Sequence, residues 1–382
     1  MQPLFPAAAQ VKSLTNSGLY IHIPFCDSKC RYCSFYSFTA DTAKKEEYTQ
    51  ALCREIEKRG GKLTRPFNTL YIGGGTPSAL GDKLLCEIID MAREAFNITT
   101  DAEITVEVNP KTGSDELFAA LKKSGVNRIS MGIQSGNADE LKVLGRAHSR
   151  QVAEDAFYTA RKAGFDNISV DLMIGLPESN KESLKSSLDF VLSLDPEHIS
   201  TYILSVDEGT PLYDIRDTLN MPDEEEIVRQ YMQVCKALKK AGYEHYEISN
   251  FAKKGKRSRH NTNYWECGEY IGIGPGAHSF MLHQRFYYPA DIDAFIREPK
   301  TVNDGGGGDK YEYVMLGLRL SDGISLSHLE YYYNFEKSEE LVKKIKLFEK
   351  NNLCRFDGDN LALTDMGMLV SNEIIAELES LL

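Results

Sequence analysis

Residues 18–38 read GLYIHIPFCDSKCRYCSFYSF, and this stretch decides how the rest of the chain is read. Gly18 to Ile23 is apolar and aromatic with one histidine, and Pro24 stops it. That is the signature of a strand. Cys26, Cys30 and Cys33 follow at once, spaced C-x3-C-x2-C. Such a loop, just past a strand's C-terminal end, is where α/β folds place their chemistry. Three soft thiolates within eight residues point to a metal site. Structural zinc wants a fourth ligand, and the nearest candidate, His22, lies in the strand before the loop. A four-iron cluster held by three cysteines instead keeps one iron open for another molecule.

The composition narrows the setting. The chain has 382 residues, 42% of them apolar, which is enough for two domains or for one large domain with an appendage. Five further cysteines, Cys53, Cys86, Cys235, Cys267 and Cys354, are scattered singly. Scattered thiols suggest a reducing, cytoplasmic setting. Residues 1–17 read as a loose N-terminal extension, without the charged start and long apolar run of a signal peptide. No uninterrupted apolar run approaches 18 residues, so no transmembrane segment is predicted. The net charge of −12 argues against nucleic acid as a partner.

Outward from the cysteine loop, strands and helices alternate. A helix is predicted over 41–60 and a strand over 69–72, ending in Gly73-Gly74-Gly75-Thr76-Pro77. Glycines directly after a strand let a ligand approach the backbone closely. Helices follow over 82–96, 117–123, 150–163 and 183–194, and strands over 103–108, 128–133, 167–173 and 198–204. Six such βα units imply a parallel sheet curled one way, a partial (β/α)6 barrel over 18–211. Polar residues recur at the strand ends: Glu107, Gln134 and Asp171, with Arg146 in a turn. In a parallel barrel these ends converge on one mouth.

Residues 212–303 read as a region completing the barrel, with a helix over 222–241 and a strand over 243–251. This region contains His260-Asn261-Thr262-Asn263-Tyr264-Trp265 and a Gly-rich run ending at His278. A histidine among aromatic rings can ligate iron beside a planar macrocycle, or simply pack in a loop. Residues 304–308, all glycine after Asp304, read as a linker. Residues 309–382 read as helices plus a hairpin, an α+β winged-helix-like domain. With 8 Lys/Arg against 14 Asp/Glu it is expected to pack or to cover substrate, not to bind DNA.

The C-x3-C-x2-C loop with its following glycine turn resembles the radical-SAM superfamily. YIHIPFCxxxCxYC, GGGTP, VEVNP, MGIQS, VDLMIGLP, HNxxYW and GIGPGAH together resemble the oxygen-independent coproporphyrinogen III oxidase family over nearly the whole chain. The oxidases of that family carry one more cysteine two positions after the third ligand; here that position is Phe35. HNxxYW marks its haem-chaperone branch. The resemblance implies a [4Fe-4S] cluster on Cys26, Cys30 and Cys33. It implies S-adenosylmethionine (SAM) held by Tyr20, Tyr32, Gly74, Gly75, Thr76, Glu107, Gln134, Arg146 and Asp171, with Ile203 and His278 further along. Haem is implied as cargo near His260. The partners implied are haem or porphyrin, a haem-acceptor protein and a reductant for the cluster. Two enzyme readings stand beside the chaperone: radical decarboxylation of coproporphyrinogen III propionates to vinyls, and a radical methylase or tRNA modifier.

Overall fold

The computed structural model describes residues 17–382. The expected N-terminal extension therefore lies outside the described residues, except for Ser17, which opens the first strand. Six parallel strands form the centre: β1 (Ser17–Ile23), β2 (Phe67–Gly74), β3 (Ile98–Val108), β4 (Arg128–Gln134), β5 (Ile168–Ile174) and β6 (His198–Ile203). They pair in sequence order. Each crossover carries at least one helix, as parallel neighbours require.

The outer face of the sheet makes the core. Leu19, Ile21 and Ile23 of β1 share one fully buried apolar cluster with Tyr48, Leu52 and Ile56 of the helix Thr42–Gly60. Asp41 starts that helix by accepting a hydrogen bond from the Lys44 backbone N–H. The alternate residues of the same strands turn to the concave face. Tyr20 stacks on Tyr71 there, and Tyr71 bonds Glu107.

Residues 212–303 do not supply further βα units; they widen the sheet at both edges. The expected strand over 243–251 is a hairpin, β7 (Glu244–Glu247) and β8 (Asn250–Ala252), because the chain turns at Ile248-Ser249. β8 pairs antiparallel with β6. At the other edge β9 (Glu269–Ile273) pairs parallel with β1. β10 (His278–Met281), β11 (Gln284–Tyr287) and β12 (Val302–Gly306) then follow as antiparallel neighbours. Among the described residues the result is one open sheet of twelve strands. Of the run 304–308 expected as a linker, Asp304, Gly305 and Gly306 belong to the edge strand β12. Its exposed backbone needs no side chain to pair with β11, which is why its composition misleads.

The C-terminal unit has a core of its own, built on Leu318, Leu326, Leu329, Ile345 and Leu363. Its helices surround a small sheet of β13 (Ile324–Ser325), β14 (Cys354–Phe356) and β15 (Asn360–Leu363), with β15 in the middle. This is the winged-helix-like arrangement read from the sequence. It joins the barrel through the β7–β8 hairpin: Ile248 N–H donates to Arg319 O at 2.9 Å and Ser321 N–H to Tyr246 O at 2.9 Å. Arg257 clamps the joint by bonding both Glu244 and Asp322. No described helix is long and apolar enough to cross a membrane.

Candidate cysteine-lined functional site

The cysteine loop is closed by backbone bonds. Cys26 N–H donates to Phe38 O and Phe38 N–H to Pro24 O, each at 3.0 Å. Arg31 anchors its middle, donating to Leu144 O at 3.0 Å and accepting from Leu212 N–H at 2.8 Å. All three thiols are free and line one cavity of about 410 Å³ at the C-terminal ends of the parallel strands. Thr76 Oγ1 donates to Cys26 Sγ at 3.5 Å, and Arg146 Nη1 donates to Cys30 Sγ at 3.3 Å. These bonds favour sulfur that carries negative charge. A Cβ on Gly75 would stand 3.1 Å from Cys26 Sγ and 2.7 Å from Phe25 O. Only glycine lets the end of β2 lie this close to the loop.

Tyr32, Gly74, Gly75, Thr76, Glu107, Gln134, Arg146 and Asp171 line the same cavity. Four successive strands thus deliver their ends to one mouth. Glu107 is held by Tyr71 Oη at 2.8 Å and by Gly74 N–H at 3.2 Å. Burial, opposed by these bonds and aided by nearby Asp171, pushes its pKa up to about 7. Burial likewise raises Asp171 to about 6. Its Oδ1 and Arg146 Nε are buried without a hydrogen-bond partner. Gln134 sits at φ 71°, a left-handed conformation that bends the end of β4 at the cavity wall.

Three residues expected here, Tyr20, Ile203 and His278, lie elsewhere. Tyr20 borders a second cavity and turns its hydroxyl to His22 Nδ1 at 2.9 Å. His278 borders that second cavity too. At the end of β6, Tyr202 lines the cysteine cavity and Ile203 does not, since neighbouring strand residues face opposite ways. His260 is not placed to ligate haem iron. It is 1% exposed, with Thr69 Oγ1 at 2.7 Å from Nδ1 and Tyr264 Oη at 2.7 Å from Nε2. Burial, with the Arg128 cation adding to it, lowers its pKa to about 3. HNxxYW is not a loop but a short helix, Arg259–Trp265, packed on β1, β2 and β9.

Sequence reasoning missed Lys29, Asn109, Ser130 and Asp207, which also line the cavity. Asn109 could have been found, because it ends β3 as Glu107 nearly does. Asp207 accepts from Ser34 Oγ at 2.7 Å across 173 residues, a pairing that no local pattern carries.

The site has the donor set for a cluster with one open iron: three unpaired thiols, a cation beside one of them, and unpartnered polar atoms on the facing wall. The comparisons agree. The family model described as the radical SAM superfamily matches residues 20–191, and that described as the HemN C-terminal domain matches residues 311–370. The heme chaperone HemW of Bacillus subtilis is 34% identical over 369 residues, covering 93% of this chain and 97% of that protein. HemW of Mycobacterium tuberculosis is also 34% identical, covering 94% of each. A zebrafish (Danio rerio) relative, the mitochondrial radical S-adenosyl methionine domain-containing protein 1, is 31% identical over 96% of this chain and 86% of its own length. Among solved structures, the coproporphyrinogen III oxidase HemN of Escherichia coli superposes with a TM-score of 0.83 over 99% of this chain and 94% of that one. At 21% identity that likeness shows a shared fold. Membership of the superfamily implies a [4Fe-4S] cluster and SAM. The chain belongs to the radical SAM superfamily and, within it, to the HemW family.

Proposed function

We propose that this chain is a haem chaperone, which binds haem and passes it to an acceptor protein, built on a radical-SAM scaffold. The observation that carries the reading is Phe35. Where the oxidases of the resembling family have a further cysteine, this chain has an apolar ring, 69% exposed at the cavity mouth. A large apolar side chain left in water at a site's entrance suits contact with a macrocycle or a protein partner.

In this reading Cys26, Cys30 and Cys33 hold the cluster, and the Arg146 cation balances thiolate charge at Cys30. Gly74, Gly75 and Thr76 let SAM approach the end of β2. Glu107 accepts from its amino group, and Asp171 offers its free Oδ1 to a ribose hydroxyl. Tyr32 and Gln134 wall the same space. The bound cluster supplies one-electron chemistry, so a cytoplasmic reductant is a further partner.

The test is haem titration of the anaerobically reconstituted chain, followed by mixing with apo-acceptor. Saturable binding near one haem per chain, followed by transfer, is the expected result. No saturable binding, together with conversion of coproporphyrinogen III to a vinyl product, overturns the reading in favour of the oxidase.

A further inference from the structure

The second cavity deepens this reading by assigning a place for the cargo. It is an open groove of about 310 Å³ along the concave face of β1, β9 and β10. Tyr20, Tyr264, Tyr270 and Phe280 give it an aromatic wall, and His278 stands at one end. Ligand pockets start at about 300 Å³, so a flat macrocycle would be only partly enclosed. That suits a cargo that must leave again.

His278 differs from the other seven histidines. Among the described residues its ring makes no hydrogen bond; it stacks on Tyr287 at 5.1 Å and 21°, with a side chain 59% exposed. Asp304 Oδ2 lies 4.0 Å from Nδ1 and leaves Nε2 open. At that distance Asp304 makes no hydrogen bond to the ring, but it sets a negative charge beside Nδ1, while Nε2 is free to bind a metal. His22, His148, His198, His245, His260 and His283 are each hydrogen-bonded through the ring. His328, the seventh, likewise shows no ring hydrogen bond, but it packs against Tyr313 and Tyr332 in the C-terminal unit and lines neither cavity.

The groove also accounts for HNxxYW. His260 Nε2 bonds the hydroxyl of Tyr264, and Tyr264 is part of the groove wall. His260 thereby fixes the orientation of a wall ring and acts as a positioning residue. On the opposite side Tyr20 stacks on Tyr71 at 6.3 Å, and Tyr71 bonds Glu107 of the cysteine cavity. The two cavities are thus joined through three side chains.

Resting on the chaperone reading, we infer that haem lies in this groove with His278 Nε2 as its iron ligand. The test is ferric haem titration of the full chain by visible absorbance and low-temperature EPR. His278→Ala and His260→Ala are run beside it, with His283→Ala, from the same hairpin, as control. His278→Ala should weaken binding tenfold or more and lose the imidazole–iron spectrum, and added free imidazole should restore that spectrum. His260→Ala should weaken binding while keeping the imidazole–iron signature. His278→Met keeps a side chain of similar length; a shifted Soret band supports the assignment even if the alanine variant folds poorly. A wild-type spectrum and affinity in both His278 variants overturns the assignment and leaves the chaperone reading standing. Absence of saturable binding in the unaltered chain overturns both.

Discussion

Glu107 sets how the cysteine cavity responds to pH. Its carboxyl titrates near 7, raised by burial. Above that pH it is a carboxylate and accepts from an ammonium; below it the proton removes that charge. SAM affinity, measured by calorimetry, should therefore fall as pH drops from 8 to 6. Glu107→Gln should bind roughly tenfold more weakly at pH 8, about 1.4 kcal/mol, and lose most of the pH dependence. Cys30→Ala should abolish the iron–sulfur absorbance of anaerobically reconstituted protein. A full iron complement in that variant would show that the ligand set is wrong. At this scale the cysteines were legible, because three ligands on one short loop are local in sequence. Tyr202 against Ile203 was not, because the choice depends on which face of β6 turns inward.

Among the elements, the helix Arg259–Trp265 shows what sequence alone leaves open. Ser258 caps it by accepting from Asn261 N–H. The buried carboxylate of Glu103 on β3 accepts from the backbone N–H of both Arg259 and His260 at 3.1 Å. Glu103→Ala leaves two helix N–H donors without their carboxylate, the His260 one buried, and should cost about 1–3 kcal/mol, read as a lower midpoint in urea. Tyr264 would then lose its fixed orientation, so haem affinity should fall with stability. The cap partner lies 156 residues away in sequence. The motif's residues were visible, but their role as a packed helix beneath Tyr20 and Tyr71 came from the tertiary fold.

Over the whole molecule, Asp365 fastens the C-terminal unit to the barrel. It bonds His245 Nδ1 at 2.9 Å and Lys239 Nζ at 2.6 Å. The His245 bond first, then Lys239, lowers its pKa to about 2. A depressed carboxyl stabilises the fold above its unfolded pKa of about 4, and that contribution fades as pH falls toward 2. Asp365→Asn should cost about 2 kcal/mol of unfolding free energy at pH 7, and the difference should shrink by pH 3. Equal stability at pH 7 would remove this contact as a fastening. Of the two roles expected for the C-terminal unit, packing or covering substrate, packing is the one that its contacts display: none of its described residues lines the cysteine cavity, and Leu316 alone borders the second. It packs against the hairpin and the short helix.

The alternation of βα units, the cluster-type cysteine loop and the family were all determined by sequence. Each is written in spacing over a few residues or in a period that backbone hydrogen bonding enforces. Only the tertiary structure decided that a glycine run pairs as an edge strand, that His260 is enclosed and bonded at both nitrogens, and that His278 faces a groove. Edge pairing, enclosure and facing are relations between segments far apart in the chain. They follow from how the sheet curls and what packs on its concave side, and no local pattern of residue types encodes them.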